Sequence, residues 1–543
     1  MKVTFLGAAR EVTGSRYLLS FGSKNVLIDC GMEQGKDTYV NQRLPLSPAA
    51  IDAVVLTHAH IDHSGMLPKL YKEGFRGPIF ATPATIALSD IMLRDCAHIQ
   101  EQEAEWQSRK AQRAGLPLSQ PLYTQEDAMG AVQLMRPASY TEETQVTEGM
   151  TLRMTDAGHL LGSASATLTV SENNVTKKIV FSGDIGNLHQ PILNDPSYLR
   201  QADVVIMEST YGDRLHGERP DYIQDLADTL QTTFDRGGNV VIPSFAVGRT
   251  QELLYFLRQI KEQHFVHGHD GFPVYMDSPL AIAATEIFTE ADSRFFDEEM
   301  NALLRQGINP LRFDDLKLCV TSDESKLINE EKRPSVIISA SGMCEAGRIR
   351  HHLKHNLWRE NATILFVGYQ SVGTLGRALM DGAKTVRLFG EEIAVHAQIR
   401  ALKAMSGHAD QNGLLTWANS FSPAPQRFYI THGEESASLT FADLLKERGL
   451  SVRVPYNGDA WDLLTGECLF AGPRTLVEEV ESKSGTNKKK GKKKAAHERQ
   501  NADQMLEKAM ANLQRLVNST APYANGIKRQ LAEQINKLIR KWE

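Results

Sequence analysis

The sequence predicts an α/β protein of two or three domains, and three observations carry that prediction. Short apolar runs bounded by Gly, Ser, Asp or His recur along the chain, the pattern of buried strands that end in polar residues. Amphipathic segments separate these runs. The length of 543 residues exceeds what a single hydrophobic core usually organises. In order, the runs are "VLID", "AVVLT", "KIVFSGD", "DVVIMES", "NVVIPS", "SVIISASG", "TILFVGYQ" and "RFYITHGE". Between the second and third, residues 84–113 are mostly polar with helical spacing and read as a long, partly exposed helix, a wall for a substrate cleft. The opening "MKVTFLGAAREVTGS" reads as a strand and a Gly-containing loop, with no apolar leader.

Composition is ordinary, with 41% hydrophobic and 23% charged residues, and the net charge of −6 carries no global nucleic-acid signature. Five cysteines without C-x-x-C spacing argue against a disulfide framework and a zinc ribbon, and read as reduced thiols. With no long apolar run, the expectation is a cytoplasmic protein, neither exported nor membrane-spanning.

The composition changes near the end. "ESKSGTNKKKGKKKAAHERQ" carries six lysines around one glycine and reads as a linker over 471–500. Its lysines either stay solvated or engage phosphates through counterion release. Beyond it, apolar residues at helical spacing (Leu506, Leu513, Leu531, Ile535, Leu538, Trp542) interrupted by "STAPYANG" predict a helical hairpin over 501–543. The hairpin packs on the body, dimerises or binds a partner protein; the sequence leaves all three open.

The densest signal is "LTHAHIDHSG", where His58, His60, Asp62 and His63 fall within six positions behind an apolar run. A buried loop must satisfy or coordinate every such side chain, and metal ligation does so most simply. Imidazole and carboxylate suit zinc and related ions, and H-x-H-x-D-H spacing lets neighbouring residues serve two ions. Further ligands should lie at other strand ends. "TDAGHLLGSA" offers His159, "FSGDIGN" offers Asp184 and "THGEE" offers His432.

Taken in this order, the motifs resemble the metallo-β-lactamase superfamily, with Asp29 as a further match. They resemble most closely its β-CASP branch of nucleic-acid-processing hydrolases, where Glu208 in "MESTYGDR", His408 in "MSGHAD" and His432 match the additional motifs. Bacterial and archaeal RNA-processing members and, more distantly, the endonuclease subunit of the pre-mRNA 3′-end cleavage machinery share the pattern. The resemblance implies a four-layer αββα domain from 1–210, completed by 395–470, with an α/β cap domain inserted over 211–394. It further implies one metal on His58, His60 and His159, a second on Asp62, His63 and His432, and Asp184 bridging both. Asp29, on the same resemblance, would orient the ligand loop through a hydrogen bond rather than bind an ion itself. Asp62 is assigned as a ligand first, with orientation of the nucleophile as a second role.

The function implied is a two-metal ribonuclease acting on single-stranded RNA, with two divalent ions, Zn(II) or Mn(II), activating a bridging hydroxide. His408, oriented by Glu208, would be the general acid. His432 favours RNA over DNA, because DNA-directed relatives generally carry another residue there. Two rival readings are a small-ester hydrolase of the lactonase or thioesterase kind, which needs no such cap, and a non-catalytic RNA-binding subunit, which would usually have lost ligands. In the cap, Ser244, Arg249, Ser278, Ser341 and Arg348 sit at strand-to-helix turns, where they are phosphate contacts or ordinary caps and packing residues. Ser406, two residues before His408, is a further candidate phosphate contact. The "HHLKH" pair His351 and His355 lacks a third ligand, and His189 and His216 read as surface or structural residues.

Overall fold

Alternation of side chains across each strand builds a double-layered core. In Lys2–Gly7, Val3 and Phe5 point to one side and Leu6 to the other; in Arg16–Phe21, Tyr17 and Leu19 oppose Leu18 in the same way. These strands belong to an eight-stranded sheet, ordered Cys468–Phe470, Ala460–Asp462, Lys2–Gly7, Arg16–Phe21, Lys24–Ile28, Ala53–Val55, Ile79–Ala81, Met135–Pro137. A seven-stranded sheet faces it, ordered Val452–Arg453, Arg427–Ile430, Val204–Met207, Val175–Phe181, Ala164–Glu172, Met150–Asp156, Glu143–Thr147. Phe5, Tyr17, Ile28 and Val55 of the first meet Leu152, Leu168, Phe181 and Tyr429 of the second.

Helices cover both outer faces. Leu67–Lys72, Gln125–Gln133 and the long helix Pro83–Arg113 bury Leu67, Leu70, Ala128 and Leu93 against the first sheet. Gln411–Ala418 and Glu435–Glu447 bury Trp417, Phe441 and Leu445 against the second. The result is four layers, αββα. The computed structural model describes residues 1–474 except 35–42, 114, 116, 141, 372, 403 and 404. The Lys-rich linker from 475 onward and the helical hairpin expected over 501–543 lie outside the described residues.

Between Val204–Met207 and Arg427–Ile430 the chain departs to build a third sheet. Its six strands are all parallel, ordered Leu316–Leu318, Val274–Met276, Val336–Ser339, Val240–Pro243, Thr363–Phe366, Gln398–Ala401. Val240, Ile242, Met276 and Ile338 pack on one face with Leu253, Leu257 and Ile282, and Val241, Ile337, Ile364 and Phe366 pack on the other with Ile349 and Leu353. Burial on both faces explains why these strands read as unbroken apolar runs. One boundary needs correction. The return to the first domain was expected at 395, but Gln398–Ala401 bonds Thr363–Phe366 as the edge strand of the cap sheet, so the crossing back follows Ala401.

The C-terminal part completes both sheets of the αββα domain. Arg427–Ile430 lies parallel to Val204–Met207, and Ala460–Asp462 lies antiparallel to Lys2–Gly7. Among the described residues, no helix is long and apolar enough to cross a membrane.

Candidate metal centre

Several strand ends open onto one point. Ala53–Val55 leads to His58 and His60 and the short helix Ile61–Ser64, which carries Asp62 and His63. The turn between Met150–Asp156 and Ala164–Glu172 carries His159. Val175–Phe181 leads through Gly183 to Asp184, and Arg427–Ile430 leads to His432. Gly183 adopts φ +57°, and a side chain there would stand 2.8 Å from the Ala164 carbonyl oxygen, so glycine alone lets Asp184 reach inward. Asp29 and His432 take left-handed backbone conformations, with φ 53° and 49°. Tertiary hydrogen bonds hold both, from the Asp29 N–H to the Val55 carbonyl (2.9 Å) and from the His432 N–H to the Ala8 carbonyl (2.6 Å).

The side chains fall into two groups around Asp184. His58, His60, His159 and Asp184 form one, and Asp62, His63 and His432 the other, with the donor atoms of each group within 4.8 Å of one another; Asp184 also lies as close to Glu208 and His408, which form a third such group. Asp184 Oδ2 lies 3.4 Å from His58 Nε2 and 3.5 Å from His159 Nε2. Its Oδ1 lies 3.2 Å from His63 Nε2 and 3.6 Å from His432 Nε2. This Oδ1 is buried and accepts no well-formed hydrogen bond among the described residues.

The outward nitrogens fix which lone pairs face inward. Asp29 accepts from the Thr57 N–H at 2.8 Å, the Thr57 hydroxyl at 3.0 Å and the His63 Nδ1–H at 2.7 Å. Since the Thr57 hydroxyl donates to Asp29, its oxygen accepts from His58 Nδ1 at 3.2 Å. The Gly407 carbonyl accepts from His159 Nδ1 at 3.0 Å. Thr210 donates to the His432 carbonyl and so accepts from His432 Nδ1, both at 3.2 Å. Burial pushes the pKa values of His58 and His159 well below the ordinary value, with His63 and His408 respectively adding to the effect, so these rings are neutral.

Lone pairs therefore converge. His60 Nδ1 lies 3.1 Å from His58 Nε2 and 3.2 Å from His159 Nε2, and His63 Nε2 lies 3.0 Å from His432 Nε2. Each such pair needs either a hydrogen-bonding proton or a metal ion between its nitrogens. Burial lowers the His63 pKa, but Asp184 and Asp29 together raise it well above its usual value, so this half of the centre demands positive charge. Five imidazoles and two carboxylates, with the outer nitrogens of His58, His63, His159 and His432 already hydrogen-bonded, fit divalent metal binding.

Beside this centre, His408 Nδ1 lies 3.2 Å from Glu208 Oε1, and its Nε2 lies 3.9 Å from Asp184 Oδ2. Glu208 is fixed in turn by the backbone N–H groups of Ile185 (2.5 Å) and Thr210 (3.2 Å). Burial lowers the His408 pKa, but the Glu208 carboxylate more than reverses this and holds it up at about 9. The side chain keeps about a fifth of its surface exposed, at 21%. A protonated imidazole is thus held beside the metal centre, its Nε2 on the Asp184 side.

Comparison with known proteins places this geometry. Three family models match in succession: a beta-lactamase superfamily domain over residues 24–218, a Beta-Casp domain over 250–379, and a Zn-dependent metallo-hydrolase RNA specificity domain over 392–455. A ribonuclease of Thermus thermophilus is 38% identical over 462 residues, covering 84% of this chain and 99% of its own length. The chain belongs to the β-CASP metallo-β-lactamase family. Transcription termination factors FttA from Methanocaldococcus jannaschii and Pyrococcus abyssi are 32% and 30% identical, covering 85% and 84% of this chain and 71% of each of those chains.

In this β-CASP protein the cap residues singled out from sequence have mostly local partners. Ser278 caps the helix Pro279–Glu290 by accepting the Ala281 N–H at 3.2 Å. Ser341 exchanges hydrogen bonds with Ala346, and Ser244 bonds the Phe245 carbonyl at 3.2 Å. Arg348 donates to Asp277 at 2.7 Å and to the Cys319 and Val320 carbonyls, bonds that fit the packing role the sequence left open beside a phosphate contact. Arg249 pairs with Glu252 and donates to the Met405 carbonyl at 2.8 Å, and Ser406 accepts the His408 N–H at 3.2 Å. His351 stacks on Phe389 and joins no metal-binding group among the described residues. The exposed His189 stands apart from the centre.

His216, read as a surface or structural residue, lies against the loop that carries His408, its Nε2 2.9 Å from the His408 carbonyl oxygen. Thr57, Thr210 and Gly407 were not singled out from sequence. Their only signal is adjacency, since each lies within two residues of His58, Glu208 or His408. A cavity of about 850 Å³ is lined by Thr82, Tyr140, Arg153, Asp156 and Phe295 and contains none of the residues grouped around Asp184.

Proposed function

We propose that this protein is a two-metal ribonuclease that hydrolyses phosphodiester bonds of single-stranded RNA. On this reading His58, His60 and His159 hold one ion, Asp62, His63 and His432 hold the other, and Asp184 spans them. The observation that carries it is the division of labour within Asp184, whose Oδ2 faces the first group and Oδ1 the second. Two divalent ions there, zinc on the strength of the nitrogen-rich donor set or manganese, would supply an acidified water and positive charge against the anionic phosphate.

The chain's residues supply the rest. Asp29, Thr57, Thr210 and the Gly407 carbonyl hold the outer nitrogens of His63, His58, His432 and His159, which presents the inner lone pairs in fixed directions. Asp62 is kept ionised: burial alone would raise its pKa, but His432 and His63 outweigh it and hold it down at about 2. His408, positively charged and tethered by Glu208, gives its proton to the leaving oxygen. RNA as substrate draws support from the relatives named ribonuclease and transcription termination factor, and from the RNA-specificity match, which includes His408 and His432.

Cleavage of a 5′-labelled single-stranded RNA beside the matching DNA, with metal content determined on the same sample, tests the proposal. RNA-selective products from protein holding two metals per chain are expected. Full metal occupancy with no RNA product would overturn the ribonuclease assignment.

A further inference from the structure

We propose that Phe245 and Tyr369 form a stacking platform for the bases of single-stranded RNA at the edge of the metal centre. The inference rests on the ribonuclease reading and names how that substrate is gripped. Phe245 and Tyr369 follow Val240–Pro243 and Thr363–Phe366, adjacent parallel strands of the cap sheet. Val336–Ser339, the neighbour of Val240–Pro243 on its other side, leads to Gly342. Carboxyl ends of strands in an open parallel sheet are where such folds bind ligands.

The platform adjoins the catalytic loops. A side chain on Gly248 would stand 3.3 Å from Leu160, the residue after His159, and the Arg249 guanidinium binds the Met405 carbonyl, just ahead of Ser406 and His408. The turn carrying Phe245 therefore touches both segments that deliver those histidines.

Phe245 and Tyr369 are 45% and 53% exposed, although burying large aromatic rings is strongly favourable. The Phe245 backbone is pinned, its carbonyl accepting from the Thr250 hydroxyl at 2.6 Å. One edge of its ring rests on Gly342, where any side chain would come within 3.0 Å of the ring, and the same edge approaches Gly368. Gln370 ties the two glycine loops together through a 3.0 Å hydrogen bond to the Gly342 carbonyl. The Tyr369 hydroxyl makes no hydrogen bond among the described residues. Two rigidly based, solvent-facing rings beside a phosphodiester-cleaving centre suit bases, since every base presents a π-face and stacking needs no sequence. A protein partner would cover the same rings without regard to bases, and the test separates the two.

The measurement is the Kd of a short fluorescein-labelled RNA with phosphorothioate linkages, and of the same backbone made abasic, for the wild type, Phe245→Ala, Tyr369→Ala and Phe245→Trp. Each alanine variant is expected to weaken binding of the base-bearing RNA about tenfold. Phe245→Trp should retain wild-type affinity, and the abasic strand should bind all four proteins alike. Unchanged affinity in both alanine variants, or an equal loss on the abasic strand, would overturn the platform. Cleavage of unmodified RNA by the wild type is scored separately. Base-dependent binding without cleavage would sink the ribonuclease reading alone, whereas cleavage with base-independent binding would sink the platform alone.

Discussion

His63 Nε2 and His432 Nε2 lie 3.0 Å apart, although 369 residues separate them in the chain. Their outer nitrogens lie against Asp29 and Thr210, so a proton or a metal ion must sit between the inner ones. Chelation should therefore destabilise the fold, and zinc or manganese at about a hundredfold excess over Kd should restore about 2.7 kcal/mol. Thermal melts with and without chelator check this, and a melting temperature indifferent to metal would contradict it.

Asp184 reaches both groups of histidines, Oδ2 facing His58 and His159 and Oδ1 facing His63 and His432. Asp184→Ala is expected to abolish hydrolysis and lower the metal content, while RNA affinity stays within about twofold because the cap surface is untouched. Turnover at the wild-type rate in this variant would sink the two-metal mechanism.

As a general acid, His408 must carry its proton, so activity should fall as pH rises through its pKa, held up at about 9 by Glu208 against the lowering effect of burial. In Glu208→Gln the raising influence is weakened while burial persists, and the alkaline limb of kcat/KM should move to lower pH. His408→Ala should lose about 10²–10⁴ in rate with metal content retained. An unmoved alkaline limb in Glu208→Gln would assign it to another group.

Asp29 is buried and bonded to His63, Thr57 and Ser15. Asp29→Asn replaces an acceptor that fixes the His63 tautomer with a group that can also donate, and metal affinity should drop about 10–100-fold. Competition against a chromophoric chelator reads this directly; unaltered affinity would reduce Asp29 to a packing residue.

Asp277 is buried among Arg348, His352 and Ser325, at 2.7, 2.6 and 2.6 Å. Arg348→Met strips a partner from a buried carboxylate and should cost about 3 kcal/mol of stability, with little change in RNA affinity for protein that remains folded. Weakened RNA binding at unchanged stability would restore Arg348 as a substrate contact.

The apolar runs and the His58–His63 cluster are legible in the sequence for physical reasons. A strand buried on both faces must be apolar throughout, and four coordinating side chains in six positions have few other uses. The half-buried antiparallel strands were harder to see. Met150–Asp156 alternates buried Met150, Leu152 and Met154 with more exposed residues, and such alternation is faint beside a continuous run.

Sequence by itself determined the donor types, their order and the α/β class, because ligand chemistry and strand burial are properties of local segments. Tertiary structure decided the rest. Only the parallel pairing of Arg427–Ile430 with Val204–Met207 brings His432 to His63, and only the path back from the cap after Ala401 brings His408 to Glu208. It also turned Arg348 inward to Asp277 and left Phe245 and Tyr369 facing solvent. Which side chain meets which across hundreds of residues follows from sheet order and register, and those are settled by packing of the whole core.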